Sequence, residues 1–241
     1  MTSWYKQAQE NGTYKKKLDI HISDDLMHVF DRLESAGYPA LIVGGAVRDA
    51  LMSEVTGVKY DSKDIDIEVY GTDYSTLNGI LRTVGDEIEQ REDVKRVHIS
   101  LEGDAFQVLK LFIKYKNGVI DDYDFSLPRR DSKREGGGGH KAFDVEADPN
   151  MSPKEASSRR DFTINALAYD PLQNEIHDYF GGVEDIYNGI LRATSKAFAE
   201  DPLRVLRGMQ FSSRLSGPNV CKKCNCKFNN KMGIIEKGEH H

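Results

Sequence analysis

The chain predicts an α/β fold, more strictly α+β: a small mixed sheet with helices, followed by a helical segment. Two patterns predict the classes of element. Short apolar or alternating runs are interleaved with runs of helical period as far as Leu127, and helical signals dominate after Ser152. The bulk numbers predict the scale: 241 residues bury one good-sized core, or one domain and the start of a second. No apolar run approaches the ~20 residues that span a bilayer, and no signal-peptide pattern opens the chain, so no membrane is expected and the cytoplasm is the default location. A net charge of −6 argues against wholesale wrapping of nucleic acid but leaves room for a local basic patch.

The first twenty residues form a polar leader. Asp24 to Ala36 carries Leu26, Val29, Phe30 and Leu33 at helical spacing, with Ser23 as N-cap and Gly37 as stop. Ala40–Val43 is a short apolar strand, Gly44-Gly45 a turn, and Ala46 to Met52 the start of a helix. Charged and apolar residues alternate from Asp64 to Tyr70, which reads as a strand with two different faces. A helix is expected over Thr76–Val84, and strands over Val97–Leu101, Ala105–Tyr115 and Val119–Leu127. Asp131 to Asn150, with four consecutive glycines at 136–139, is expected to be a mobile loop. Ser152, Pro153 and Glu155 then make a capping-box helix start. Further helices are expected around Thr163–Ala168, Val183–Tyr187 and Pro202–Leu215.

Asp64, Asp66 and Glu68 stand at i, i+2 and i+4, so three carboxylates share one face while Ile65, Ile67 and Val69 pack the other way. Carboxylates this close repel, and a divalent cation relieves the repulsion. Mg²⁺ favours carboxylate oxygens together with substrate phosphates, and paired ions clamp the attacking and leaving oxygens of an in-line displacement. Taken alone, the strand reads as an ordinary solvent-facing one. Upstream, however, the Gly44-Gly45 turn into a helix lets the backbone approach a phosphate and offers it helix-terminal N–H groups, with Arg48 one turn on to add a charged contact.

Two later clusters are as polar. Ser158 to Asp170 sets Arg159, Arg160, Asp161, Thr163 and Asn165 against an apolar run read as helical; on that helix Asn165, four residues after Asp161, shares its face and braces it. Asp161 also suits a helix cap. Asp201 and Arg204 are three apart on one helix. An aspartate accepting from an exocyclic amine, beside an arginine donating to a ring nitrogen, admits cytosine and adenine and rejects guanine and uracil. Asp201 before Pro202 is equally an ordinary N-cap pair.

Gly44-Gly45-Ala46-Val47-Arg48-Asp49, Asp64-Ile65-Asp66, Arg159-Arg160-Asp161 and Glu200-Asp201-Pro202-Leu203-Arg204, in that order, resemble class II tRNA nucleotidyltransferases, the family of CCA-adding enzymes and bacterial poly(A) polymerases. The resemblance runs from about residue 38 to about residue 215. It implies a nucleotidyltransferase core of the DNA polymerase beta type. It also implies template-independent addition of CMP and AMP to the 3′ end of tRNA, with CTP and ATP as substrates. By the same resemblance two Mg²⁺ lie on Asp64 and Asp66, and the triphosphate on Gly44, Gly45 and Arg48. Asp124, shortly before Arg129, matches the family's third carboxylate, with Glu68 the competitor. Arg160 and Asp161 match the pair that reads the ribose hydroxyl, and Asp201 and Arg204 the pair that selects the base. Addition of A alone, as in a poly(A) polymerase, is the alternative within the family; a nucleotide-binding fragment without turnover is the alternative outside it.

The resemblance divides the chain into a leader (1–20), a head domain (21–170), a connection with the start of a truncated helical neck (171–215) and a divergent, disordered tail (216–241). Family members continue into a helical body that grips tRNA. The expectations here are therefore exposed apolar surface on the last helix and a shortened gene, a frame change near residue 216, or a form that borrows its RNA grip from another chain. Cys221, Cys224 and Cys226, the only cysteines, lack the four well-spaced ligands of a structural zinc site and are expected to be plain tail residues.

Overall fold

A computed structural model describes residues 11–60, 62, 64–103, 107–133, 143–195, 198 and 203–215. The elements begin β1 (Thr13–Lys15), α1 (Asp24–Ser35), β2 (Ala40–Val43), α2 (Gly45–Thr56), β3 (Ile65–Val69) and α3 (Tyr74–Glu89). Next come β4 (Val94–Glu102), β5 (Val108–Tyr115), β6 (Ile120–Ser126), β7 (Arg129–Lys133), β8 (Phe143–Ala147) and α4 (Pro153–Ser158). A 3-10 turn at Thr163–Asn165, β9 (Ala168–Asp170), β10 (Glu175–His177), α5 (Gly182–Asn188) and α6 (Leu203–Leu215) complete them. They fall into two compact units, one of residues 21–42 and 64–156, the other of 1–20, 43–63 and 157–241.

The first unit is built on a mixed sheet in the order β2-β3-β6-β5-β4. β3 and β6 run parallel, and β6-β5-β4 form an antiparallel meander. One face is apolar: Ile67, Val69, Leu109, Leu111, Ile113, Tyr123 and Phe125 are buried there. Helices α1 and α3 supply the facing layer with Leu26, Val29, Phe30, Leu33, Leu77, Leu81, Val84 and Ile88. At roughly 1.5–3 kcal/mol for each large apolar side chain, this layer is the chief stabiliser of the unit. Both helices are capped as helix chemistry requires. Ser23 Oγ accepts from Leu26 N at 3.2 Å, and Asp73 Oδ1 accepts from Thr76 N at 2.8 Å. Helix α3 runs past the expected Val84 to Glu89 because Ile88 continues its buried stripe. It lies close on the sheet at Gly85, where an added Cβ would stand 3.0 Å from Ile99 Cδ1.

One expectation for this unit is overturned. Asp131–Asn150 is not loop throughout: β7 and β8 pair antiparallel from Arg129 opposite Ala147 to Lys133 opposite Phe143. The glycines at 136–139 lie outside the described residues. The capping box at α4 is present, with Glu155 Oε2 accepting from Ser152 N at 2.8 Å and Ser152 Oγ from Glu155 N at 3.3 Å.

In the second unit β1, β10 and β9 form an antiparallel ribbon. Helix α2 buries Ala46, Val47, Leu51 and Met52 and ends at Gly57 in the left-handed region. Thr163–Ala168 is not the expected helix. It makes one 3-10 turn and then enters β9, because its backbone is spent elsewhere: Thr163 N donates to Arg192 O at 3.0 Å, and Phe162 bridges Ala193. Helix α5 presses on that turn, and a Cβ at Gly182 would stand 2.2 Å from Thr163 O. Asp178 holds the start of α5 by accepting from Gly182 N (2.8 Å) and Val183 N (2.9 Å), while buried Asp185 accepts from Thr163 Oγ1 at 2.6 Å and pairs with Arg192. Helix α6 exposes Leu203, Leu206 and Met209 at 47, 54 and 63 %, the apolar surface expected of it. Among the described residues no helix is long and apolar enough to cross a membrane.

Candidate functional site

The carboxylates of the first unit come together through strand register. β3 and β6 are parallel neighbours, and Asp66 stands opposite Asp124. Side chains at paired positions of adjacent strands point to the same face, here the one opposite the apolar layer, because Ile67 and Phe125, the next pair, are both buried. Asp64 is exposed two positions before Asp66, immediately ahead of the strand. Glu68, the competitor for third carboxylate, pairs opposite Ser126 and accepts from Tyr70 OH at 2.5 Å. Register thus puts Asp124, not Glu68, beside Asp66. Asp124 has a neighbour that spacing did not single out: Lys110 on β5, opposite it in register, places Nζ 2.7 Å from Oδ1. The hydrogen bond to Asp124 raises the Lys110 pKa above its ordinary value, so the ammonium stays charged.

Among the described residues, no three His, Cys, Asp or Glu side chains converge tightly enough to hold a metal ion by themselves. The donor set nevertheless fits Mg²⁺, which is bound by one or two carboxylates with substrate phosphates and water filling the remaining positions. Asp66 and Asp124, with Asp64 two residues from Asp66, are oxygen donors of that kind.

The second unit assembles the other residues around Arg48. Gly44 has φ 71° and ψ −120°, a conformation open essentially to glycine alone, and caps α2 without a side chain. Its N–H donates to Leu167 O at 3.2 Å, and a Cβ there would meet Arg160 Nη1 at 3.1 Å. Arg48 is only 8 % exposed. Its Nε and Nη2 each lie 2.8 Å from Asp49 Oδ1, its Nη1 donates to Asn165 Oδ1 at 2.6 Å, and its guanidinium lies 5.1 Å from the centre of the Phe211 ring. Asn165 Nδ2 in turn donates to Asp161 Oδ1 at 2.9 Å. Asn165 therefore does brace Asp161, although the segment between them is a bridge and a 3-10 turn, not the α-helix on which that expectation rested.

Asp161 is buried, at 5 % exposure, and its Oδ1 also accepts from Phe162 N. Arg207 Nε lies 3.0 Å from Oδ2, but no N–H is aligned with that oxygen: it has a charge partner without a directed hydrogen bond. Arg204 Nη2 donates to Arg159 O at 2.9 Å, while Asp201 lies outside the described residues, as do the three cysteines. Sequence reasoning missed Asp49, Lys110 and Arg207. Arg207, three residues after Arg204 on one helix, carried a usable signal; the other two depend on packing.

Comparison with known proteins shows the family and the fold. Residues 40–192 match the family described as the poly(A) polymerase head domain. The chain is 36 % identical over 176 residues to the multifunctional CCA protein of Xylella fastidiosa strain 9a5c, covering 73 % of this chain and 34 % of that one. It is 34 % identical over 176 residues to the protein of the same name from Xanthomonas campestris pv. campestris strain B100, at 73 % and 35 % coverage. Among solved structures it is similar to the Bacillus stearothermophilus CCA-adding enzyme in complex with CTP, with TM-score 0.52, 26 % identity and coverage of 80 % and 40 %. The fold also matches an apo CCA-adding enzyme, with TM-score 0.60 at 23 % identity and coverage of 80 % and 41 %. The chain spans about a third of the length of the curated relatives it matches. With the head-domain match covering well over half of it, the chain belongs to the poly(A) polymerase head-domain family, in a nucleotidyltransferase fold of the DNA polymerase beta type.

Proposed function

We propose that this chain transfers CMP and AMP from CTP and ATP to the 3′ end of tRNA, adding or repairing its CCA terminus. One observation carries the reading: Asp66 and Asp124 stand in register on neighbouring parallel strands, with Asp64 two residues from Asp66. A pair of strands built only for packing has no need of opposed carboxylates; Lys110 answers the charge of Asp124 from one side, and a divalent cation would answer both carboxylates. The residues around Arg48 support the same reading, since a buried network that fixes Asp161 is suited to hold a carboxylate against a sugar hydroxyl. The B. stearothermophilus relative is described in complex with CTP.

In this reading Asp64, Asp66 and Asp124 would hold Mg²⁺, which when bound neutralises charge on the phosphates and lowers the pKa of the attacking hydroxyl. Gly44, Gly45 and Arg48 serve the triphosphate. Arg160 and Asp161, braced by Asn165, orient the ribose, and Asp201 with Arg204 admits C and A. The head domain is proposed as residues 21–170, with 171–215 leading onward from it. Addition of A alone remains the second reading because the matching family is named for poly(A) polymerase.

Purified protein given tRNA without its 3′ CCA, Mg²⁺ and labelled CTP or ATP is expected to incorporate C and then A. The Asp64→Ala/Asp66→Ala variant is expected to be silent. Incorporation of A without C would select the second reading, and binding of ATP with no incorporation would sink the catalytic proposal for this chain.

A further inference from the structure

The face of the sheet opposite α1 and α3 is open across four strands. Three rows cross it in register. Ser100, Lys110, Asp124 and Asp66 form the first; His98, Phe112 and Asp122 the second; Arg96, Lys114 and Ile120 the third. None of these ten residues is buried. An antiparallel sheet can leave one face wet, but then alternation would fill that face with interspersed polar residues. Here charge is segregated. The carboxylates Asp66, Asp122 and Asp124 occupy β3 and β6, and the cationic side chains Lys110, Lys114 and Arg96, with His98, occupy β5 and β4; the carboxylate that β4 adds to this face, Glu102, lies beyond Ser100 at the end away from Arg96 and Lys114.

Lys110 is committed to Asp124, but among the described residues Arg96, His98 and Lys114 have no ion-pair partner. Between Lys110 and Lys114, on the same face, lies the half-buried ring of Phe112. Un-neutralised cations interleaved with an aromatic ring on an open sheet are the elements of single-strand recognition: cations meet phosphates, and the ring stacks a base of any identity.

Resting on the function proposed above, we infer that this face is the track for the single-stranded 3′ end of the RNA acceptor. The terminal hydroxyl lies at the Asp66–Asp124 row. The preceding base stacks on Phe112, and phosphates further back pair with Arg96 and Lys114. Lys114 is four residues from Lys110 along β5, about 14 Å, which leaves room for the last few nucleotides between the reacting end and the outermost cations. The charge gradient sets the polarity: the end that needs a metal meets carboxylates, and the phosphodiester chain behind it meets positive charge.

The test is fluorescence anisotropy with a short 5′-fluorescein single-stranded RNA bearing a free 3′ hydroxyl, titrated at several salt concentrations. Wild type, Arg96→Gln/Lys114→Gln and Phe112→Ala are compared, with ATP binding and thermal melting as controls. Each phosphate contact to a single strand contributes about 0.7 to the slope of log affinity against log salt, so the double variant is expected to lose about 1.4 of slope. Phe112→Ala is expected to weaken RNA about tenfold through lost stacking. Both variants should bind ATP as the wild type does; the double variant should melt with it, and Phe112→Ala modestly below it because part of a half-buried ring is lost.

Wild-type RNA affinity and salt slope in both variants, from a protein that still extends RNA, would overturn the track while leaving the function standing. Binding of ATP with neither binding nor extension of RNA by the wild type would overturn the function, and the track with it. Self-association that disappears in Phe112→Ala while RNA affinity is untouched would reassign the face to a protein contact.

Discussion

Asn165→Ala removes the amide that ties Arg48 to Asp161. Two hydrogen bonds go: the 2.6 Å bond from Arg48 Nη1 and the 2.9 Å bond to Asp161 Oδ1. Both involve a charged group buried beyond 90 %, and such bonds are worth about 1.5–3 kcal/mol each. Each charged partner keeps a second anchor, Arg48 on Asp49 and Asp161 on Phe162 N, so the lower end of the sum applies, about 3 kcal/mol. In a chain of this size that lowers the melting temperature by about 6–12 °C. Urea titration and thermal melting read the loss, and nucleotide affinity should fall with it if Asp161 touches the ribose.

Asn165→Asp supplies the sharper control. It keeps the acceptor for Arg48 but sets a carboxylate where an amide had donated to Asp161. Two carboxylates so close cannot both ionise freely, so one folded-state pKa rises above the unfolded value near 3.9. The folded state then binds more protons than the unfolded one, and stability is regained as pH falls through that raised value. The gap between Asn165→Asp and wild type should therefore narrow on acidification. An Asn165→Ala midpoint equal to that of the wild type, or a gap for Asn165→Asp that does not change between pH 7 and mildly acidic pH, would refute the tie through Asn165.

Gly44→Ala forces a side chain onto φ 71°, ψ −120°, and should cost about 1–3 kcal/mol by urea titration. A neutral result would mean that the turn relaxes freely. Lys110→Met frees Asp124 from a partly exposed ion pair worth less than about 1 kcal/mol, so the urea midpoint should barely move. The Mg²⁺ concentration for half-maximal incorporation should fall, because an ammonium no longer competes for the carboxylate; a rise would show that Lys110 positions Asp124 instead. Burial holds the His177 imidazole below its ordinary 6.5, with the Glu175 carboxylate opposing this in part. The stability from its neutral form is present above 6.5 and lost as pH falls through the folded-state value, so wild type should lose more thermal stability than His177→Gln between pH 7 and 5.

Local chemistry was legible in the residues. Ser23, Ser152 and Glu155 cap helices because a side-chain oxygen within three residues of a free N–H needs no tertiary partner. Alternation likewise exposed β3 and β6. What escaped was set by pairing at a distance. The segment Ile164–Ala168, apolar but for Asn165, is buried throughout, so no period distinguishes helix from strand there, and the Arg192–Ala193 backbone decides. Strands β7 and β8 are polar and flank a glycine run, so composition predicted a loop where backbone register makes a hairpin.

The site divides along the same line. That Asp64, Asp66 and Glu68 share a face follows from strand period, whereas Asp124, preferred to Glu68 in the sequence only by resemblance, is brought beside Asp66 by the pairing of β3 with β6. The Asn165–Asp161 brace was expected for a helical reason and exists for a different one, since a tight turn also returns a side chain four residues along to its predecessor. Arg48 shows the limit most clearly, because its partner Asn165 lies 117 positions away. Three of its five N–H donors are taken up by Asp49 and Asn165, leaving two at most for a triphosphate. A guanidinium so committed is pre-oriented, and in the roles proposed above it would couple phosphate contact to the set of Asp161 through a single amide. Phosphate and ribose recognition should therefore fail together when that amide is removed, which separate surface contacts would not do.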